Sequence, residues 1–341
     1  MSARTPGPWQ DNRAKTLSKT THTARRAPLS GRTPERCART FDVIGPRPGS
    51  LEVRRAIAAF FRARPIAHHF GAIALRPLAA TRTGGPTYAI LRAIMIAIGS
   101  QIALVTGGAK RIGRATALAL AAEGVHVIVH YGTSAQEAEE LGHEIEGMGV
   151  RAWTVQGDLS DPDTAAAVMV KAIAAAERCD ILVNNASIFP ESSFAEFSPG
   201  DVHANVNIHA LSPALLARAM HARGGAGAVV NMLDCMIADY DRKHLAYHLS
   251  KRMLHTLTRI LAVELAPRIR VNAVAPGLTL APVGKDESYL AGLASSNLLD
   301  RYGSPEDVAA AIVFLLKSDF ITGETIYVDG GRNLRGNMYG G

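Results

Sequence analysis

The sequence predicts a doubly wound α/β fold, in which a mostly parallel sheet is flanked by helices on both faces. From residue 101 onward, short apolar runs alternate with longer segments of helical periodicity. The apolar runs are nearly continuous, as in strands that are buried on both faces. A glycine-rich turn follows the first run directly. Ligands of such sheets bind beyond the carboxyl ends of the strands, so functional residues are expected there.

The elements follow one another regularly along the chain. Each predicted strand is a short run of apolar and β-branched residues. These strands span residues 101–106, 125–131, 151–158, 180–185, 228–232, 269–275 and 325–331. Each predicted helix repeats apolar residues at intervals of three and four. These helices span residues 112–123, 135–147, 161–176, 201–223, 245–265 and 305–317. The last helix has a clear start signal, because Ser304 precedes a proline and Asp307 stands at the third helical position.

Residues 1–94 differ from the rest of the chain in charge. They carry 17 Lys and Arg against 4 Asp and Glu, a net +13, and 9 of the 17 prolines; residues 95–341 carry 20 against 26, a net −6. We therefore expect a basic leader at 1–94, which buries too little apolar surface to order itself, and a single domain at 95–341. The leader fits a cleaved targeting peptide or a basic binding arm. A translation start at Met95 is the interpretation we favour.

Cysteine content and hydropathy indicate the compartment. Cys37, Cys179 and Cys235 are too few, and odd in number, for a disulfide framework, which indicates a reducing environment. No run of about 18 apolar residues occurs, so we expect a soluble protein that does not bind a membrane. The basic excess lies in the leader and no nucleic-acid motif accompanies it, so we expect no nucleic-acid partner. The expected location is cytoplasmic, with organellar targeting by the leader left open.

The turn Thr106–Gly113 predicts a dinucleotide site. Glycines between a strand and a helix let the backbone approach a pyrophosphate, which the helix N-terminus attracts. The second strand ends in His130 and Tyr131 with no acid before Glu137. Arg111, with a lysine beside it, and the hydroxyl of Ser134 suit a 2′-phosphate better than a carboxylate would. The pattern therefore favours NADPH over NADH, with a solvated Arg111 as the alternative.

A second motif, Tyr247-His-Leu-Ser-Lys251, lies in a predicted helix. Residues four apart share one helix face, so Tyr247 and Lys251 are neighbours. A tyrosine needs a nearby cation to exchange protons near neutral pH, because its ordinary pKa is about 10. We expect Lys251 to lower the pKa of Tyr247 and to hydrogen-bond the nicotinamide ribose.

Together these motifs resemble the short-chain dehydrogenase/reductase family over about residues 101–332. The resemblance implies a Rossmann fold, a homotetramer and roles for residues at matching positions. The implied cofactor-binding residues are Gly107, Arg111, Ile112, Gly113, His130, Tyr131, Ser134, Asp158, Leu159, Asn185, Ala186, Ser187, Lys251, Pro276 and Gly277. The implied catalytic residues are Asp234, Tyr247, Lys251 and Asn207, the last holding a water near the lysine.

One departure from the family pattern points to a substrate class. Most of the family has a serine thirteen residues before the tyrosine, where this chain has Asp234. An ionised carboxylate cannot donate a hydrogen bond to a carbonyl, but it accepts from the N–H groups of a nitrogen heterocycle. The pteridine and dihydromonapterin reductases share this substitution and resemble the chain at Arg111, Ser187 and Phe189. In that subgroup the pterin stacks on an aromatic ring, by position Phe189; core packing is the alternative for that side chain.

The resemblance therefore implies an NADPH-dependent reductase that converts a dihydropterin, such as dihydromonapterin or dihydrofolate, into its tetrahydro form. The implied substrate-binding residues are Arg111, Ser187, Phe189, Asp234 and Tyr247. The alternative is a carbonyl reductase of the same family acting on a 3-oxoacyl group or a related ketone. A non-catalytic binding protein is the third hypothesis, and the intact Tyr and Lys disfavour it.

Other candidate sites are weaker. His244 and His248 have the spacing of a helical metal pair, but the sequence supplies no third ligand, and we expect no metal. Cys235 is interpreted as a small buried apolar residue. The chain has no GxSxG or GxxxxGK[ST] motif, which excludes the hydrolase and nucleotide triphosphatase interpretations.

Overall fold

The computed structural model describes residues 96–282 and 284–337. The predicted leader, 1–94, and the proposed start at Met95 lie outside the described residues. Seven strands are present in the described part of the chain: β1 Ile102–Val105, β2 His126–Tyr131, β3 Ala152–Gln156, β4 Ile181–Asn184, β5 Gly227–Met232, β6 Ile269–Pro276 and β7 Thr325–Val328. The α-helices described there are α1 Arg111–Ala122, α2 Ala135–Gly147, α3 Pro162–Ala176, α4 Pro199–Val206, α5 Ser212–Ala222, α6 Leu245–Glu264, α7 Glu287–Leu293 and α8 Pro305–Lys317.

The seven strands form one parallel sheet in the order β3-β2-β1-β4-β5-β6-β7. β1 pairs with β2 on one side and with β4 on the other, so that Val105 lies between Val129 and Val183. The chain therefore winds outward in one direction to β3 and then in the other to β7. This reversal beside β1 opens a crevice at the carboxyl ends of the strands. The predicted doubly wound α/β fold is confirmed.

Both faces of the sheet are buried, which explains the continuous apolar runs. Along β1, Ala103 and Val105 pack into one apolar cluster with α1 and α8, whereas Ile102 and Leu104 pack into another with α3 and α5. Neighbouring side chains of a strand point to opposite faces. All four are at most 1% exposed. Burial of one such aliphatic side chain contributes about 1.5–3 kcal/mol, so this strand is a major part of the core.

The helices begin where the sequence supplies caps. At α8, the Ser304 hydroxyl accepts the Asp307 N–H at 3.3 Å, and the Asp307 carboxylate accepts the Ser304 N–H at 2.9 Å, as the start signal predicts. At α3, the Asp161 carboxylate accepts the Asp163 N–H at 3.0 Å. None of the helices described is long and apolar enough to cross a bilayer.

Two elements differ from the sequence prediction. The helix predicted over 201–223 is interrupted by a π-helical turn at Asn207–Leu211, which separates α4 from α5. Pro213 has no N–H for the carbonyl four residues earlier, and its ring crowds that carbonyl, which favours a wider turn. The segment 280–301, where the sequence predicts no helix, contains α7, whose first turn is capped by Asp286 through the Ser288 N–H at 3.1 Å. Seven residues are too few for a periodic signal.

Candidate active site

A cleft of about 320 Å³ lies at the carboxyl ends of β1, β4, β5 and β6. It is lined by Gly107, Lys110, Arg111, Ile112, Gly113, Asn185, Ala186, Ser187, Met232, Leu233, Asp234, Tyr247, Lys251, Pro276, Gly277 and Thr279. Most of the residues predicted to bind a cofactor or to act in catalysis are thereby brought together. A larger groove, about 910 Å³, runs along α6 and the strand β7, away from these residues.

The glycine turn is packed so closely that side chains cannot be added. Gly107 has φ +58°, and a Cβ there would lie 3.0 Å from Ala186 Cα. A Cβ on Gly113 would lie 2.2 Å from the Gly107 carbonyl oxygen. The first turn of α1 contains no acid, and its N-cap residue, Lys110, makes no side-chain capping bond. The N–H groups that begin α1 are therefore available to an anion.

Side chains after β4 hold the glycine turn in place. The Thr106 hydroxyl accepts the N–H groups of Asn185 at 2.9 Å and Ala186 at 3.0 Å. The Asn185 amide in turn donates to the carbonyls of Thr106 at 2.9 Å and Gly107 at 3.0 Å. The end of β4 and the turn after β1 therefore form one rigid unit. Asn185 supports the cradle through these bonds as well as lining it.

His130, predicted to contact the cofactor, turns its ring inward. Its Nδ1 accepts the Gly107 N–H at 3.1 Å, so its Nε2 carries the proton and donates to the Gly157 carbonyl at 3.1 Å. Burial lowers the pKa of His130 to about 4, against the opposing bond to Gly157. A neutral, fully engaged ring cannot supply a cation to a phosphate. The His130 side chain therefore supports the glycine turn and brings no charge to the cofactor, and the contact of this residue with the cofactor stays a prediction.

Two cations of the turn point in different directions. Lys110 Nζ lies 2.5 Å from Glu137 Oε1, near the start of α2, whose N-cap Ser134 makes no side-chain capping bond. Arg111, at φ +56°, donates to the Ala281 carbonyl at 2.8 Å, across the cleft. Tyr131, which is half-buried, is the last residue of β2, as predicted. Glu137 stands in the first turn of α2 and matches the charge of Lys110, so the contact of Ser134 with a 2′-phosphate stays a prediction.

The residues after β3 and at the π-helical turn lie beside the cleft. Asp158 accepts the N–H and hydroxyl of Ser160 at 2.8 and 2.7 Å, and these bonds lower the pKa of its carboxyl. Leu159 is buried. The Asn207 amide donates to the Ser160 carbonyl at 3.0 Å and does not line the cleft. This bond engages the Asn207 amide, and the role of Asn207 in holding a water near the lysine stays a prediction.

Asp234, Tyr247 and Lys251 form the chemical centre of the cleft. The Tyr247 hydroxyl donates to Asp234 Oδ2 at 2.9 Å, and Asp234 Oδ1 accepts the Met236 N–H at 2.7 Å. Lys251 Nζ donates to the Met232 carbonyl at 2.8 Å and lies 5.5 Å from the centre of the Tyr247 ring. Tyr247 and Lys251 are 6% and 2% exposed. α6 thus places the pair on one buried face, as its spacing predicts.

The pKa shifts at this centre differ from the expectation. Burial raises the pKa of Tyr247 well above its ordinary value, and the Asp234 carboxylate raises it further. The prediction that Lys251 lowers this pKa is wrong, because a carboxylate, and not the ammonium, shares the phenolic proton. Burial lowers the pKa of Lys251 to about 8, while Asp234 opposes that shift. Tyr247 is therefore a protonated donor at neutral pH, and Lys251 is a cation below pH 8.

Phe189 stands at the mouth of the cleft. Its ring stacks on His244 at 3.8 Å and meets Tyr247 edge-on at 4.7 Å between ring centres. The side chain is 50% exposed, so the alternative of core packing is wrong. His244 Nδ1 and His248 Nε2 both lie against the Asp241 carboxylate, at 2.9 and 3.1 Å. The described residues contain no cluster of ligating side chains fit for a metal.

Pro276 and Gly277, which are predicted to bind the cofactor, line the cleft at the end of β6. Pro276 ends β6, and a Cβ on Gly277 would lie 2.7 Å from Asp329 Cα, so the backbone lines the cleft at close range. Cys235 is buried, and burial raises the pKa of its thiol, which makes it unreactive.

His209, which the sequence analysis does not identify, is buried beside Tyr247, with ring centres 5.3 Å apart. The only signal in the sequence was Pro213, four residues after it.

The donor set fits a dinucleotide. A helix start without acids, a turn that admits only glycine, and a buried lysine beside a tyrosine are the groups that hold a pyrophosphate and a ribose next to a proton donor. Among the residues described, Gly107, Gly113, Asn185 and Lys251 would hold it. The arrangement can position a ligand between this cradle and Asp234, and can deliver a proton from the Tyr247 hydroxyl.

Comparison with known proteins agrees with this geometry. A family model described as "Enoyl-(Acyl carrier protein) reductase" matches residues 107–333. Pteridine reductase 1 of Leishmania tarentolae is 34% identical over 69% of this chain and 97% of its own length. A 3-oxoacyl-[acyl-carrier-protein] reductase of Synechocystis is 33% identical over 70% and 98%. The crystal structure of FolM Alternative dihydrofolate reductase 1 from Brucella canis, complexed with NADP, matches with a TM-score of 0.67 and 31% identity, covering 72% of this chain and 97% of that one.

Proposed function

This chain belongs to the short-chain dehydrogenase/reductase family and is an NADPH-dependent oxidoreductase, and we propose that it reduces a dihydropterin to a tetrahydropterin. One observation carries the proposal: a carboxylate, Asp234, accepts the hydroxyl of Tyr247 at 2.9 Å inside the cleft. The ring of a dihydropterin is rich in N–H groups, and a carboxylate is an acceptor for them.

The carboxylate also disfavours a simple ketone. A ketone oxygen is only an acceptor, so it requires donors, and Asp234 offers none while it is ionised. It also competes with the ketone for the Tyr247 hydroxyl. A dihydropterin avoids both conflicts, because its N–H groups engage Asp234 while a ring nitrogen accepts the proton of Tyr247. The charge pattern of the cleft therefore supports a heterocycle over a carbonyl.

The exposed face of Phe189 supports the same substrate class. One face of the ring is covered by His244, and half of the side chain remains exposed next to Tyr247. A flat bicyclic ring can stack on such an aromatic face, at about 0.5–1.5 kcal/mol beyond the burial of area. We propose that Phe189 and Ser187 bind the pterin, with Arg111 beside them.

We propose the following roles in the reaction. NADPH, when bound, supplies the hydride. The Tyr247 hydroxyl gives a proton to the ring nitrogen next to the carbon that receives the hydride, so a C=N bond becomes CH–NH. Lys251, whose ammonium donates to the Met232 carbonyl, is a cation below pH 8 and hydrogen-bonds the nicotinamide ribose. Asp234 orients the N–H groups of the substrate, and the Tyr247 phenolate regains its proton from solvent water, relayed by the Asp234 carboxylate.

A carbonyl reductase is the second candidate, and one observation favours it. The 3-oxoacyl reductase of Synechocystis is as similar to this chain as the pteridine reductase is, at 33% against 34% identity. Overall similarity therefore does not separate the two functions. The residue that does separate them is Asp234.

Substitution of Asp234 tests the proposal. We expect wild type to oxidise NADPH with dihydropterins or dihydrofolate and not with a panel of ketones. In Asp234→Ser, kcat with dihydropterin should fall about 10- to 100-fold, as expected for a lost charge-assisted hydrogen bond, while ketone reduction rises. Serine also caps the turn at Met236, so the local fold should persist.

Asp234→Asn is the matched control, because it keeps the shape and removes the charge; it too should lose pterin turnover. NADPH affinity, measured by fluorescence, should be the same in all three proteins. Efficient ketone reduction by wild type with no pterin turnover would overturn the proposal in favour of the carbonyl reductase.

We also propose a homo-oligomer, most simply the tetramer expected of the family, in the cytoplasm. The helix that carries Tyr247 leaves several large apolar side chains exposed, which supports a subunit contact there. These side chains are Leu249, Met253, Ile260 and Val263. Light scattering of the purified protein measures the mass, and a monomer would contradict the proposal.

A further inference from the structure

His209 occupies a position that the proposed chemistry does not use. It lies in the π-helical turn, is 1% exposed, and contacts both the end of β4 and the helix α6. Its Nε2 is 2.8 Å from the Ser187 hydroxyl and 3.2 Å from the Ile188 nitrogen. Its Nδ1 is 2.8 Å from the Ser250 hydroxyl. A buried ring that uses both nitrogens links the cleft to the segment between Tyr247 and Lys251.

The partners of this ring determine where its proton is. A backbone N–H can only donate, so the bond from Ile188 requires a lone pair on Nε2. The Ser250 hydroxyl donates to the Tyr247 carbonyl at 2.7 Å and must therefore accept at its oxygen, from Nδ1–H. Both ends of the ring give the same tautomer, with the proton on Nδ1. Burial and the nearby Lys251 lower the pKa of His209 well below its ordinary value, so the ring stays neutral.

The tautomer in turn fixes the Ser187 hydroxyl. A lone pair on Nε2 faces the Ser187 oxygen at 2.8 Å, and two lone pairs at that distance repel. The hydroxyl proton must lie between them, so the Ser187 O–H and the more distant Ile188 N–H, at 3.2 Å, share the Nε2 lone pair. The other acceptor in contact, the Ile188 carbonyl, is at 3.4 Å. Ser187 therefore donates into the protein, and only its oxygen lone pairs remain for the cleft that it lines.

We propose that His209 is a positioning residue that makes Ser187 a hydrogen-bond acceptor toward the cleft, and thereby selects a ligand that presents an N–H group at that point. Ser187 and Asp234 then act alike, because both offer acceptors. Two molecules could supply the N–H: the carboxamide of the nicotinamide, or the ring of the substrate. The second source rests on the proposed function, since a dihydropterin carries such groups and a simple ketone does not.

The tautomer can be observed directly. In nitrogen-15 NMR of the full chain, the His209 ring should show a protonated Nδ1 and an unprotonated Nε2. Its signals are assigned by their loss in His209→Asn or, should that variant not fold, in His209→Gln. His130 is an internal reference, because its contacts require the opposite tautomer. A proton on Nε2 of His209 would overturn the proposal.

Substitutions test the consequence for binding. Ser187→Ala removes the acceptor and should weaken the N–H contact about 2- to 10-fold, the range of a neutral hydrogen bond. His209→Asn keeps a donor for Ser250 but is too short to reach Ser187, so it should weaken the same contact less. Because His209 acts through Ser187, the double variant should equal Ser187→Ala alone. His221→Asn is the matched control: its ring contacts Arg268, away from the cleft.

Two measurements separate the sources of the N–H. If the substrate supplies it, the KM for dihydropterin rises with kcat nearly constant, and the Kd for NADPH is unchanged. If the cofactor supplies it, the Kd for NADPH rises, while that for the reduced 3-acetylpyridine analogue, which lacks the amide N–H, does not. Either result supports the role of His209; additive effects, or no effect on either constant, overturn it. A wild type without pterin turnover would refute the proposed function, and the NMR and NADPH measurements would still decide the role of His209.

Discussion

Two buried histidines stand on opposite sides of the cleft and carry their ring proton on different nitrogens. On the cofactor side, His130 accepts the Gly107 N–H at Nδ1 and donates from Nε2 to the Gly157 carbonyl. On the substrate side, His209 donates from Nδ1 to the Ser250 hydroxyl and accepts the Ile188 N–H at Nε2. Both rings are neutral, buried and fully engaged. The first holds a backbone turn, and the second orients a hydroxyl. A buried histidine therefore holds the glycine turn rigid on one side of the cleft and sets the direction of the Ser187 hydroxyl on the other.

The two sides also differ in where their charges lie. On the cofactor side the cations are exposed: Lys110 pairs with Glu137, and Arg111 bonds a carbonyl across the cleft. On the substrate side Tyr247 and Lys251 are buried, and burial together with the Asp234 carboxylate shifts the pKa of each. Substitutions on the first side should change affinity for NADPH, and substitutions on the second should change turnover.

The largest effect is expected on the substrate side, from Tyr247→Phe. It removes the hydroxyl that donates to Asp234 and leaves the ring packed against His209 and Phe189. Loss of a positioned acid typically costs about 10²- to 10⁴-fold in rate, so kcat should fall by that factor. The Kd for NADPH should stay within about twofold of wild type. Turnover within tenfold of wild type would mean that another group donates the proton.

On the cofactor side, Gly113→Ala should act on affinity. Its Cβ would lie 2.2 Å from the Gly107 carbonyl oxygen, so the turn must move. Overpacking of this kind costs about 1–3 kcal/mol. Since NADPH binds the original shape of the turn, this cost should weaken NADPH binding about 5- to 150-fold. Turnover at saturating NADPH should change little. Gly147→Ala, with no atom within 4 Å of the added Cβ, is the control. A fall in kcat as large as the fall in affinity would contradict the proposal that the cofactor side sets affinity for NADPH and the substrate side sets turnover.

The features that the sequence predicts correctly depend on residues that are close together along the chain. The apolar runs, the Ser304 cap and the Tyr247–Lys251 spacing are local patterns, and each is present in the structure. The partner of Arg111 lies 170 residues away, and no local pattern indicates it. The inward ring of His130 depends likewise on β3 pairing beside β2. The pKa of Tyr247 was predicted in the wrong direction because burial, which a motif does not contain, is its largest cause.

A smaller effect is expected from Arg111→Ala, which tests whether Arg111 binds the 2′-phosphate of NADPH. Arg111 forms no ion pair among residues 96–282 and 284–337, whereas the charge of Lys110 is matched by Glu137. The free cation should matter more to the additional phosphate. We expect Arg111→Ala to weaken NADPH about 5- to 10-fold more than NADH, because solvent screens an exposed guanidinium. Lys110→Ala is the comparison, with a smaller loss. Equal losses of both cofactors in Arg111→Ala would place the guanidinium at the pyrophosphate and undermine the basis of the preference.

The smallest effect is a pH dependence that crosses the boundary between the two sides, because Lys251 serves both. Burial lowers its pKa to about 8, so it is cationic below pH 8 and neutral above. NADPH is anionic, and its 2′-phosphate is fully ionised above pH 7. Its affinity should therefore fall as pH rises through about 8, by at most tenfold per pH unit, since one proton is linked to binding. Binding of the anion should raise the pKa of Lys251 in the complex.

The stability of the free protein should change with pH in the opposite direction. Between pH 8 and about 10.5 the lysine binds a proton in the unfolded chain and not in the folded one, so the free energy of unfolding rises with pH. Fluorescence titrations from pH 7 to 9.5 measure the first trend and chemical denaturation the second. Lys251→Arg keeps its charge in this range and should abolish the fall in affinity; a flat wild-type profile would show that this lysine contributes no charge to the cofactor side.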